Sequence, residues 1–374
     1  MGNQRILLST PTMHGEEMQY IQEAFDTNWV APLGKNVDCF EQEICQYLGV
    51  PGAAALTSCT AAIHMALKLC GLKPGEPVLC SDLTFAASVN PVCYEHGVQV
   101  FVDSEYESWN MDPVALEKAF EKYPQARIVV VANLYGTPAK LDELRSICDR
   151  HGAYLVEDAA ESLSATYHGK QTGTFGHYNA ISFNGNKIIT SSGGGMLLSE
   201  DPEAAKKVRF WATQAKDPAP YYQHSEIGYN YRMSNIVAGI GRGQLIHLDE
   251  HRELKKQIYL RYLEAFRDLP LVMNPYYADS EPNFWLSCIL LNEDCKVHPW
   301  TLMEELAKDN IDSRPIWKPM HMQPVFEDCD FISVREKPVS EDVFARGLCL
   351  PSDIKMTPEQ QERVIRIVRA CLED

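Results

Sequence analysis

The chain has 374 residues, 45% of them hydrophobic and 23% charged. That is the composition of a folded protein of roughly two domains and excludes a disordered or collagen-like chain. With 51 acidic against 34 basic residues the net charge is −17, which argues against nucleic acid as a partner but leaves room for one phosphorylated small ligand in a locally positive pocket.

The opening segment, MGNQRILLST, carries one Arg and too short an apolar run for a secretory leader, and Ile6 stands where a myristoylation signal needs a hydroxyl residue. No stretch approaches the roughly 18 apolar residues that span a bilayer, so no membrane role is expected and a cytoplasmic location is. The 12 cysteines follow no disulfide or zinc spacing. Cys295 and His298 stand without a second ligand pair, so the thiols read as reduced and no metal site is expected.

From about residue 40 to 200, short β-rich runs alternate with helical periodicity. Residues 53–57 read as an apolar strand. Ala61, Ala62, Met65, Ala66 and Leu69 then share one helical face, stopped by Gly71 and Pro74. Residues 78–80, 98–102, 127–132 and 153–156 read as further strands, with a helix over 140–151. Such alternation predicts an α/β fold with a mostly parallel sheet covered by helices, and ligands at the carboxyl ends of the strands. Beyond about residue 245 the texture changes. A charged helix is expected over 251–266, a strand over 284–291, and helices over 299–309 and 359–372 around a Pro-rich stretch, 313–325. This predicts a large unit over 1–245 and a smaller α+β unit over 246–374.

Four features carry chemistry. Ser58-Cys59-Thr60-Ala61-Ala62 sits where a strand hands over to a helix, which more often means a plain N-cap by Ser58 or Thr60 but also suits a phosphate at the helix N-terminus. Asp158, in Leu155-Val156-Glu157-Asp158-Ala159-Ala160-Glu161, ends an apolar strand. A carboxylate there can hold a proton on a ring nitrogen, or merely cap a helix. Lys187 follows the run Ala180 to Asn186 and precedes Gly193-Gly194-Gly195. A desolvated amine there attacks an aldehyde, although a lone Lys is usually solvated surface. There is no GxxxxGK[ST] and no GxGxxG after the first strand, which counts against nucleotide triphosphate or dinucleotide chemistry. Last, Gly228-Tyr229-Asn230-Tyr231-Arg232-Met233-Ser234-Asn235 precedes a small-residue helical run, 236–245, and suits a polar ligand, a second subunit or a capped loop.

Taken in order with Thr84-Phe85-x-Ala87-Ser88, these motifs resemble the PLP-dependent sugar-nucleotide aminotransferases, which have the aspartate-aminotransferase (type I) fold. Asn-Gly-Asn-Lys (184–187), the run Asn28 to Gly34 and the run Arg314 to His321 are most similar to the branch that aminates UDP-4-keto-6-deoxy-N-acetylglucosamine in bacillosamine synthesis, with GDP-perosamine synthases as neighbours.

The resemblance implies roles. Lys187 bonds the cofactor aldehyde and later moves the proton; Asp158 pairs with the pyridinium nitrogen. Thr60, Ala61 and Ser182 hold the phosphate, Phe85 stacks on the ring and Glu161 lies near the ring hydroxyl. Asn235 reaches the phosphate of the neighbouring subunit, so a homodimer is expected. Asn230, Trp317, Lys318 and His321 serve the nucleotide-sugar, and L-glutamate donates the nitrogen. Asn133 departs from the His of many relatives, with a tuning effect expected. Two alternatives carry different signatures: a sugar dehydratase replaces the lysine with His, and a non-catalytic regulator spoils the lysine or the aspartate. Lys187 and Asp158 are both intact.

Overall fold

The computed structural model describes residues 4–373. Its centre is an eight-stranded sheet: β1 (Gly52–Leu56), β2 (Pro77–Ser81), β3 (Val98–Val102), β4 (Ile128–Ala132), β5 (Tyr154–Asp158), β6 (Tyr178–Ser182) and β7 (Gly195–Ser199), with a late strand, β11 (Asp330–Ile332), at one edge. The order is β1-β7-β6-β5-β4-β2-β3-β11. Only β7 runs against the rest, pairing antiparallel with both β1 and β6. The mostly parallel α/β sheet expected from the alternation is present. The reversed strand was not foreseen, because a five-residue strand carries no mark of its direction.

The strands are largely apolar because both faces are covered. Val130, Val156, Ala180 and Leu197 pack beneath helix α3 (Cys59–Leu69) through Ala62, Ile63 and Ala66. On the other face Val129, Val131 and Leu155 meet Leu116, Ala119, Leu141, Leu144 and Ile147. Helix α3 starts where it does because Ser58 is extended and its Oγ accepts the Ala61 N–H at 3.1 Å. The helix over 140–151 is Leu141–His151. The sequence reading missed α1 (Glu16–Asp26) and α2 (Lys35–Leu48), which pack on the helix Asn235–Leu245. Gly243 lets them approach: a Cβ there would stand 2.6 Å from the Glu17 nitrogen.

A second, four-stranded sheet has the order β8 (Leu271–Met273), β9 (Ser287–Leu291), β12 (Gly347–Leu350), β10 (Arg314–Pro315). Helices over 248–265, 299–308 and 358–372 pack on it around Tyr262, Leu302, Leu306, Val364 and Val368. The strand expected over 284–291 begins only at Ser287, because Phe284 is left-handed (φ 54°) and turns the chain toward the large sheet. Two contacts cross the division expected at residue 245. Strand β11 returns to pair with β3, and Ile6 joins the core of the smaller sheet. Pairing partners this far apart in sequence leave no local signature.

Candidate active site

The expected residues meet where the carboxyl ends of the parallel strands converge. Strand β1 delivers Ser58, Cys59 and Thr60, β2 delivers Thr84, Phe85 and Ser88, β4 delivers Asn133, β5 delivers Asp158 and Glu161, and β6 delivers Ser182 and Lys187. Together with Gly193 and Gly194 they line one cavity of about 270 Å³. Phe85, mostly exposed, stands at its rim with its ring 5.3 Å from that of Trp317.

Lys187 is 11% exposed at its side chain. Its Nζ lies 3.5 Å from Glu161 Oε1 and 4.1 Å above the Trp285 ring. An amine so placed is held by a charge and an aromatic face at once. The other Glu161 oxygen accepts the Tyr135 N–H at 2.7 Å. Tyr135 makes that bond from a left-handed backbone (φ 52°), a conformation costly for an aromatic residue and held by its surroundings. Burial raises the Glu161 carboxyl to about 7; Lys187 and the Tyr135 N–H oppose the rise and the charge on Asp158 adds to it.

The sign of the stability effect follows. Between pH 4.5 and 7 the folded chain binds a proton at Glu161 that the unfolded chain has released, so rising pH costs stability there. Glu161→Gln removes that cost. Melting of the cofactor-free protein across pH 4.5 to 8 should show the variant gaining on wild type, by on the order of 3 kcal/mol. Parallel melting curves would count against a buried Glu161.

Asp158 is buried at the end of β5. It accepts Ser88 Oγ–H at 2.6 Å and Ala160 N–H at 3.0 Å. Ser182 is buried and Thr60 half-buried on the cavity wall. These residues fit pyridoxal phosphate. The end of α3 presents N–H groups and the hydroxyls of Ser58, Thr60 and Ser182 to an anion, while an acid and an amine face the same space. A Cβ on Gly195 would stand 2.2 Å from the Cys59 nitrogen, so the bare backbone of β7 closes on the helix end and no side chain fills the cradle.

Several expected residues have other partners or positions in this chain. The Ala61 N–H is taken by the Ser58 cap, so Ser58, Cys59 and Thr60 line the cavity in its place. Asn235 is buried within its own chain: its Oδ1 accepts from the Asn36 and Val37 N–H groups and its amide donates to the Trp29 carbonyl. It caps α2 and does not reach outward. Asn230, five residues earlier, is the exposed amide of that segment and lies outside this chain's cavity. His321 has both ring nitrogens engaged, by Asp82 at 2.8 Å and Glu341 at 3.2 Å, and stacks on Phe331. Trp317 and Lys318 are half-buried beyond the cavity wall. Asn133 lines the cavity, but its amide is spent on Glu157, Ser162 and the Ala139 N–H.

Sequence reasoning missed Trp285. Its Nε1–H donates to the Asn186 carbonyl at 2.7 Å, one peptide before Lys187, and its ring underlies the lysine amine. Asn283, two residues earlier, ties this loop to the carbonyls of Glu161 and Leu163. Nothing local marks either residue, since their partners lie about 100 positions away.

Comparison with known proteins gives the family. The chain is 49% identical over 372 residues to EpsN of Bacillus subtilis (strain 168), a protein named as a pyridoxal phosphate-dependent aminotransferase, covering 98% of this chain and 95% of that one. It is 33% identical to a GDP-perosamine synthase of Caulobacter vibrioides over 96% of both chains. A DegT DnrJ EryC1 StrS aminotransferase from Brucella abortus has the same fold, with a TM-score of 0.89, 27% identity and 96% of both chains covered. The model of the DegT/DnrJ/EryC1/StrS aminotransferase family matches residues 11–369, and the chain belongs to that family of PLP-dependent aminotransferases.

Proposed function

We propose that the protein transfers the amino group of L-glutamate to a nucleotide-linked 4-keto-6-deoxy sugar, with UDP-2-acetamido-4-keto-2,6-dideoxyhexose as the acceptor. The observation that carries this reading is the meeting of Lys187, Asp158 and Glu161 in one cavity at the carboxyl edge of the sheet. The UDP-sugar assignment is supported by two runs. Asn184 and Lys187 line the cavity, and Trp317 places its ring against Phe85 at the rim, where a bulky acceptor has to enter.

Bound pyridoxal phosphate supplies an aldehyde that carries nitrogen and a ring that takes up electrons. The chain's own residues do the rest. Asp158 would hold a proton on the ring nitrogen. Lys187 Nζ, when free, takes a proton above the cavity and returns it, and the Glu161 carboxylate and the Trp285 ring steady the ammonium between those events. The α3 end would anchor the phosphate, and Phe85, at the rim, would pack against the ring.

Two copies are proposed to complete the site. Phe25, Trp29, Val30 and Leu33 form an exposed apolar stretch, and the segment before Asn230 exposes Tyr221, Tyr222 and Ile227. An apolar surface of this kind marks an interface. Such a homodimer is proposed to work in the cytoplasm. The second reading, a GDP-perosamine synthase-type acceptor, is favoured by the relative of that name. The test is a panel of UDP- and GDP-linked 4-keto-6-deoxy sugars with glutamate, read by product mass. Amination of the UDP-N-acetyl sugar at a kcat/KM at least tenfold above the GDP sugar is expected, from protein that weighs as a dimer by light scattering. The reverse preference, or an active monomer, would overturn the corresponding part of the proposal.

A further inference from the structure

Asp158 does not stand alone. A carboxylate only accepts, so the 2.6 Å contact with Ser88 Oγ runs from serine to aspartate. Ser88 has one hydroxyl proton and spends it there. Its 2.7 Å contact with Thr84 Oγ1 therefore runs from threonine to serine. The result is a directed line, Thr84 to Ser88 to Asp158. Thr84, Ser88 and Asp158 are all buried, at 1, 2 and 6% exposure. On the other carboxylate oxygen, the Ala160 N–H lies at 3.0 Å and the Cys59 Sγ at 3.7 Å. Burial, with the charge on Asp158 adding to it, pushes the Cys59 thiol well up, so it stays a donor.

The hydroxyl of Ser88 is not needed by its own turn. The short helical turn Ala86–Ser88 is closed by backbone bonds, Ser88 N–H to the Phe85 carbonyl at 3.0 Å and Val89 N–H to the Ala86 carbonyl at 3.1 Å. Alanine would serve the packing equally well. A buried hydroxyl whose only bonds lead to a carboxylate and to a second hydroxyl has its purpose at the carboxylate.

We propose that Ser88, oriented by Thr84, is a positioning residue that holds Asp158 in the orientation and charge state in which it faces the cofactor's ring nitrogen. This rests on the pairing of Asp158 with that nitrogen. Donors on a carboxylate stabilise its ionised form and so leave the shared proton on its partner. With Ser88 removed, the carboxylate turns more freely and competes more strongly for that proton. The ring then withdraws fewer electrons from the bond to Lys187.

The test uses the full chain loaded with pyridoxal phosphate and the variants Ser88→Ala, Ser88→Thr, Thr84→Val and Asp158→Asn. Two readouts apply besides activity: the pH midpoint of the bound cofactor's visible band, and cofactor retention. Retention is also measured for the analogue whose ring nitrogen is replaced by C–H. Ser88→Ala should raise the midpoint by about half a pH unit or more and weaken retention roughly tenfold. Thr84→Val should move both the same way by less, and Ser88→Thr should restore them. With the C–H analogue, Ser88→Ala and wild type should bind alike, because the residue acts through the nitrogen. An unchanged midpoint in Ser88→Ala, or an equal loss with both cofactors, would reduce Ser88 to packing and overturn the proposal. A wild-type midpoint in Asp158→Asn would instead show that the aspartate does not face the nitrogen, and the proposal would fall with that pairing.

Discussion

Lys187→Ala should lose turnover by roughly four orders of magnitude or more, since one substitution removes both the nucleophile and the proton carrier. The visible absorbance of the lysine-bound cofactor should vanish with it, while phosphate-anchored binding survives in weakened form. The loss reaches further than the missing amine. The Lys187 charge lies 3.5 Å from Glu161 and restrains the rise of that carboxyl. With the charge gone, the buried acid should take up its proton at higher pH than about 7 and donate toward the cavity. The variant should therefore fold, and its melting temperature should fall more above pH 7 than below it, because ionising an unpartnered buried carboxyl is costly. Stopped-flow assays and an absorbance scan check the first part, and melting across pH checks the second. Measurable turnover with the visible band intact would sink the mechanism.

Asp158→Ala is the second large effect. It removes the acceptor of three donors at once, the Ser88 hydroxyl, the Ala160 N–H and the Cys59 thiol. Leaving such groups unpaired in a buried site costs about 1–3 kcal/mol each. Cofactor retention should weaken by two orders of magnitude or more, and proton abstraction from the donor amino acid should slow by at least as much. Asp158→Asn keeps the shape without the charge. It should melt near wild type and still turn over slowly, which separates the electrostatic role from the packing role. Equilibrium dialysis of the cofactor and exchange of the α-proton of glutamate measure the two effects. Unchanged exchange in Asp158→Ala would reduce the residue to a cap on the turn after β5.

The Glu161 carboxyl ties these results to pH. It titrates near neutrality because burial opposes its charge more than Lys187 supports it. Every group that alters the lysine's charge should therefore move the same titration. Trp285, whose ring lies 4.1 Å from Lys187 Nζ, holds that amine beside the carboxyl.

What the sequence determined by itself is local. A strand ending in Asp158, a helix opened by Ser58, and a lysine on a turn before three glycines are each written in consecutive residues, because apolar period, capping and turn chemistry act over a few positions. Since parallel strands gather their carboxyl ends at one edge, the convergence of Thr60, Phe85, Asp158, Glu161, Ser182 and Lys187 on one cavity was legible from the alternation and the motifs together. The tertiary structure decided the competition for each side chain. Asn235 and His321 carry the right functional groups, but Asn36, Val37 and Trp29 claim the first, and Asp82 and Glu341 the second. Conversely, Trp285 became part of the site only because a left-handed Phe284 turns its loop beneath Lys187. A hydrogen-bonding group serves the nearest buried partner, and which partner is nearest depends mostly on contacts between segments about 100 or more residues apart, which no short stretch of sequence encodes.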